Sequence, residues 1–216
     1  MASPVVIAVY GGKGGIGKTT TATNLAHAFG ADGRKTLLVD ANADQPSAQL
    51  IYNMLKTPAP YDLTVEENPE LLGQIKRVPY EYVVIDCPPS PREARAGIGQ
   101  ADLVIVPYVP KFLETQAIMR TIRDTLSSRP YRVLFVAVMY SMRSRAALSR
   151  EALAGFSVPM FRTDIRHYTA HEKAQANGVA IFDPAAADLD PNASRAAEDY
   201  RGVYAELVAS LNGSRK

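Results

Sequence analysis

Residues 12–19 read Gly-Lys-Gly-Gly-Ile-Gly-Lys-Thr, the spacing G-x-x-x-x-G-K-[ST] of a phosphate-binding loop. A triphosphate is held by several backbone N–H groups that converge on it, so the chain must wrap closely without Cβ atoms in the way. The helix that follows adds its own unpaired N–H groups and the positive end of its dipole. Gly12, Gly14, Gly15, Ile16, Gly17, Lys18, Thr19 and Thr20 are the expected cradle. Lys18 would reach the β- and γ-phosphates, and the Thr19 hydroxyl would take a place on Mg²⁺. ATP and Mg²⁺ are the cofactors this loop implies.

Such a loop needs a strand before it and a helix after it, and the flanking residues supply both. Val5-Val6-Ile7-Ala8-Val9-Tyr10 is an apolar, β-branched run, and apolar residues recur at helical spacing from Thr20 to Phe29. Further strands are expected at 36–39, 81–85, 102–106 and 132–138, after the first at 4–10, with a weaker one at 159–161. Helices are expected near 18–30, 46–56, 67–77, 91–100, 111–127, 144–154, 167–177 and 193–212. Continuous apolar runs such as Tyr82-Val83-Val84-Ile85 suit strands buried on both faces. Their alternation with helices implies an α/β fold, a doubly wound and mostly parallel sheet with its ligands at the carboxyl ends of the strands.

Two of those ends carry a carboxylate, Asp40 and Asp86. A buried carboxylate there has a cation to hold, and Mg²⁺ bound through water is the natural one. The plainer alternative is a helix N-cap. For Asp86 the following Pro88 and Pro89 indicate a stiff loop instead of a simple cap. Thr19, Asp40 and Asp86 are the metal candidates.

The run Lys13-Gly14-Gly15-Ile16-Gly17-Lys18-Thr19-Thr20 resembles the deviant Walker motif of the ParA/MinD ATPases. In that family the early lysine reaches the nucleotide of a partner subunit, so the resemblance implies a homodimer joined through ATP by Lys13. Asp86-Cys87-Pro88-Pro89 resembles the family's D-x-P-P segment, with Cys87 where a small polar residue is usual. The chain departs from the family at Asp40-Ala41-Asn42-Ala43-Asp44. The family's D-x-D places a second carboxylate on the attacking water, and here that position is Asn42. An amide can orient water but takes no proton and supplies no charge. Asp44 either substitutes for it or caps the helix beginning near Pro46. The resemblance thus implies a catalytic set of Lys13, Lys18 and Asp40 with Asn42 or Asp44, and it bears on binding more firmly than on hydrolysis. Val106-Pro107 with Lys111-Phe112-Leu113-Glu114-Thr115 resembles the family's segment near the base and dimer seam. Phe182-Asp183-Pro184 lies where a loop over the adenine is expected. The resemblance spans residues 5 to about 210, with its specific motifs in the first 90.

Composition narrows the class. The 216 residues are expected to form a single P-loop ATPase domain, 1–216. The lone Cys87 excludes a disulfide framework and suits a reducing compartment. With no leader pattern and no apolar run of membrane length, the expected location is cytoplasmic. A net charge of +2 excludes a blanket polycation, yet Arg143, Arg145, Arg150, Arg162, Arg166 and Lys173 lie close together, ahead of Asp183, Asp188 and Asp190.

Because nothing precedes the loop strand, the resemblance is to a short ParA-type partition ATPase without a helix-turn-helix. It implies an ATP homodimer that binds non-specific DNA, associates with the nucleoid, and hydrolyses ATP when a ParB-like or other adaptor protein stimulates it. The cargo would be a plasmid, a chromosomal locus or a protein assembly. Arg166 and Lys173, with Arg162 and Arg145 behind them, are the candidate phosphate contacts. The alternative is a solvated face ion-paired to Glu151, Asp164 and Glu172; Tyr168 reads as packing. A MinD-like membrane regulator needs a basic amphipathic C-terminal helix. Val203, Tyr204, Leu207, Val208 and Leu211 form an apolar stripe with only Arg201 beside them, which suits packing, so a membrane partner is not expected. A scaffold that holds ATP with little turnover is a third class, raised by Asn42. A transferase or kinase would need a substrate constellation that is not found. His27, His167 and His171 form no catalytic pattern.

Overall fold

The computed structural model describes residues 3–42, 44–111, 114–126 and 128–213. Among them, six strands form one sheet: β1 (Val5–Val9), β2 (Thr36–Asp40), β3 (Asp62–Val65), β4 (Tyr82–Asp86), β5 (Leu103–Tyr108) and β6 (Tyr131–Phe135). Their order is β3-β2-β4-β1-β5-β6 and every pairing is parallel. β1, β2, β4 and β5 are buried throughout, as continuous apolar runs require.

Helices α1 (Lys18–Ala31), α2 (Ser47–Met54), α3 (Pro69–Leu72), α4 (Pro91–Gln100), α5 (Glu114–Thr121), α6 (Arg143–Gly155), α7 (Ala170–Ala176), α8 (Ala185–Leu189) and α9 (Ala193–Gly213) connect and flank the strands. Alternate β1 residues serve two cores. Val6 and Ala8 pack with Ala94 and Ile98 of α4 and Ile118 of α5. Val5, Ile7 and Val9 pack with Leu25 and Phe29 of α1 and Val203 and Leu207 of α9. Tyr204, Val208 and Leu211 lie against that second core, so the α9 stripe packs on the sheet layer. No helix among the described residues is long and apolar enough to cross a membrane.

The differences from sequence expectation have local causes. β3 was not anticipated: Asp62-Leu63-Thr64-Val65 is a short edge strand that alternates exposed and half-buried. The segment 159–161 contributes one parallel bridge, Val133 to Met160, instead of a strand. Pro159 has no N–H for a ladder, and its carbonyl accepts from Val133. The helix expected over 111–127 begins at Glu114 among the described residues and widens after Thr121 into a π turn at Ile122–Leu126. α8 was not anticipated.

Candidate nucleotide-binding site

β1 ends where the glycine loop begins, and α1 starts where it ends. Gly15 (φ 71°) and Gly17 (φ 82°) take the left-handed conformation that glycine adopts at no steric cost. α1 opens with no side-chain cap and no acidic residue in its first turn. Its N-terminal donors and dipole are therefore left to an anion. Lys18 lies buried beneath the loop, and its Nζ donates to the Lys13 carbonyl at 2.8 Å. Burial pulls its pKa down, with Asp86 opposing. Lys13 points the other way: its side chain is 55% exposed, 2.6 Å from Glu114 Oε1.

The sheet order brings the two strand-end carboxylates together, since β2 and β4 are neighbours with Asp40 opposite Asp86 and Val9 opposite Asp86 on the other side. They have different surroundings. Asp40 is fully buried; its Oδ2 accepts from Ala48 N (2.8 Å) and Gln49 N (3.1 Å), and its Oδ1 from Asn42 N (3.2 Å). It therefore caps α2 from a neighbouring strand, and burial outweighs those bonds to raise its pKa. Asp86 is also buried, but its Oδ1 has no hydrogen-bond partner among the described residues. Burial, reinforced by Asp40, pushes its pKa up to about 7, while Thr19 and Lys18 lower it. An orphaned buried carboxylate oxygen beside a threonine hydroxyl fits a divalent cation. Thr19 and Asp86 would hold Mg²⁺ directly or through water; the oxygens of Asp40 are committed to backbone.

Asp44 does not cap α2. Pro46 is the N-cap residue, Asp40 supplies the acceptor, and Asp44 is exposed with no hydrogen bond among the described residues. Asn42 donates from Nδ2 to the Gln45 carbonyl at 3.2 Å. Ala43 lies outside the described residues.

A cavity of about 180 Å³ adjoins the loop, between Gly15, Gly17 and Thr20 on one side and Val136, Ala137, Ile165 and His171 on the other. This wall was missed in the sequence, although the carboxyl end of β6 was the place to look. Ala137 there holds φ 52°, uncommon for a residue with a Cβ. Phe182-Asp183-Pro184 is not in the wall. Phe182 stacks on His27 (4.7 Å, 12°), ten residues beyond Gly17, or about 15 Å along α1.

The basic residues are neutralised unevenly. Arg166 is paired through Nη2 (2.6 Å) and Nε (3.0 Å) with Asp199 Oδ1, its guanidinium 5.3 Å from the Tyr168 ring. Lys173 Nζ lies 2.9 Å from Asp190, whose carboxyl it holds well below the usual range. Arg150 takes Asp164. Ion pairing thus occurs, mostly with acidic residues farther along the chain than Glu151 or Glu172. Arg145 and Arg162 are exposed and form no ion pair among the described residues.

The CobQ/CobB/MinD/ParA nucleotide binding domain matches residues 7–209. The chain is 37% identical over 209 residues to the maintenance of carboxysome distribution protein A of Gloeobacter kilaueensis, covering 94% of each. It is 31% identical over 196 residues to the chromosome partitioning protein ParA of Caulobacter vibrioides, covering 69% of this chain and 73% of that one. Among solved structures it resembles the septum site-determining protein MinD of Pyrococcus horikoshii in complex with Mg-ADP, with a TM-score of 0.70, 19% identity and 99% of both chains covered. The loop, the paired strand ends and these matches converge: the chain belongs to the CobQ/CobB/MinD/ParA family of nucleotide-binding domains, on the fold of the P-loop ATPases.

Proposed function

We propose that this chain is a MgATP-dependent dimerising switch that positions DNA or a protein assembly by binding non-specific DNA and leaving it on hydrolysis. The observation that carries this is the divergence of the two loop lysines. Lys18 turns inward towards Asp86, whereas Lys13 leaves the loop on the other side, half-exposed and 2.6 Å from Glu114. A cation that a phosphate loop directs outward suits the nucleotide of a second subunit.

Bound MgATP supplies the phosphoryl group and the charge that draws the subunits together. The loop N–H groups and the α1 N-terminus orient the phosphates, Lys18 neutralises them, and Thr19 and Asp86 hold the metal. The cavity of about 180 Å³ takes the base. Asn42 stands where water would be oriented without a basic group, so turnover is slow until a partner protein completes the site. The relatives' names support a positioning role, one for carboxysomes and one for chromosomes. Arg145 and Arg162, without an ion pair among the described residues, are the phosphate contacts; Arg166 and Lys173 join them only by giving up Asp199 and Asp190.

The test is binding to non-specific duplex DNA with ATP, ADP or no nucleotide at two salt concentrations. Retention only with ATP and lost at higher salt is expected. Absence of binding in every state overturns the DNA role. Asn42, and Asp44 with no hydrogen bond among the described residues, favour one second reading, an ATP-held scaffold, which would give a stable ATP dimer without phosphate release.

A further inference from the structure

Lys13 makes a contact within its own chain that competes with the role proposed for it. Its ammonium sits 2.6 Å from Oε1 of Glu114, the first residue of α5. A carboxylate is favoured at that position by the positive end of the helix. The turn that carries it is anchored: Tyr108 OH lies 2.9 Å from Thr115 Oγ1 and donates to Ser149 Oγ at 3.0 Å. Glu114 is therefore presented from a fixed base. On its other side the loop is held by Lys18, which donates to the Lys13 carbonyl. The ion pair spans a cavity of about 210 Å³ lined by Gly12, Ile16, Tyr108 and Thr121, so packing does not fix the lysine in place.

We propose that Glu114 is a positioning residue that latches Lys13 in cis, and that ATP-dependent dimerisation must break one latch in each subunit. This rests on the cross-subunit role of Lys13 proposed above. Phosphates compete for the Lys18 ammonium, which removes the donor from the Lys13 carbonyl and loosens the loop on the latch side. A part-exposed ion pair of this kind biases its geometry by about two- to five-fold. Two latches break per dimer, so removing them lowers the dimer dissociation constant by about 4- to 25-fold. The bias is screened by salt, which a purely structural role for Glu114 would not be.

The experiment is sedimentation equilibrium of the full chain with Mg²⁺ and a non-hydrolysable ATP analogue at low and high salt. It compares wild type with E114Q, E114D and K13Q, and ADP affinity and thermal unfolding confirm that the Glu114 variants are folded. At low salt, E114Q is expected to dimerise at about 4- to 25-fold lower protein concentration. That advantage should shrink at high salt, and E114D should return towards wild type. If E114Q dimerises no more tightly than wild type while K13Q stays monomeric, the latch is overturned and the role of Lys13 stands. If K13Q dimerises as wild type does, the cross-subunit role fails and the latch falls with it.

Discussion

Asp40 and Asp86 are paired in register, yet only Asp40 has its oxygens satisfied by backbone. The pKa of Asp86, near 7 in the fold against an ordinary value of 3.8, makes metal-free stability depend on pH. Between those values the native chain keeps a proton that the unfolded chain has released, so stability falls as pH rises from about 4 to about 7. The loss approaches roughly 4 kcal/mol at most. Urea unfolding in a chelator at pH 5 and pH 7.5 should show this fall in wild type and much less of it in Asp86→Asn. Equal falls in both would show that another group is responsible. The two aspartates were legible in the sequence because each closes an apolar run. Their division of labour was not, since it depends on where the N-terminus of α2 comes to rest. Asp44 matched a cap by spacing, but Asp40 occupies that role from across the strand end.

The elements were read best where burial was complete on both faces. β1, β2, β4 and β5 left unbroken apolar runs, while edge strand β3 left a four-residue pattern that a loop could also show. The π turn that ends α5 leaves no mark in apolar spacing. Close approaches between elements are equally hidden, and Gly30 in α1 is an instance. A Cβ there would lie 2.0 Å from the Pro60 carbonyl, in the connection leading to β3. Gly30→Ala should therefore destabilise the fold by about 1–3 kcal/mol in spite of its better helix propensity. Gly99→Ala in α4, with open space around the site, should gain roughly 0.5–1 kcal/mol. Chemical denaturation of the pair is the check, and a stabilised Gly30→Ala would show that the two segments separate freely.

Across the molecule, the basic stretch at 143–173 is answered by acidic residues folded back from 190 and 199. No sequence window could show this, because the partners of Arg166 and Lys173 are 33 and 17 residues away. The DNA-binding proposal therefore makes an ordered prediction. Removing Arg145 or Arg162 should reduce the slope of log affinity against log salt by about 2 each, one phosphate contact from each subunit of the dimer. Removing Arg166 should change that slope less and cost stability instead, because Asp199 would remain buried without its cation. Fluorescence anisotropy over a salt series, with a melting curve for each variant, separates the two.

Under the proposed function, the same neutralisation would limit how firmly one subunit grips. With three of the six basic residues of the 143–173 stretch ion-paired, a monomer would touch a polyanion briefly, whereas two grips joined by nucleotide would act at high effective concentration and their affinities would nearly multiply. Parting the subunits then costs far more than half of the hold. A carrier that worked in the proposed way would need no dedicated release step, because coming apart would itself be letting go.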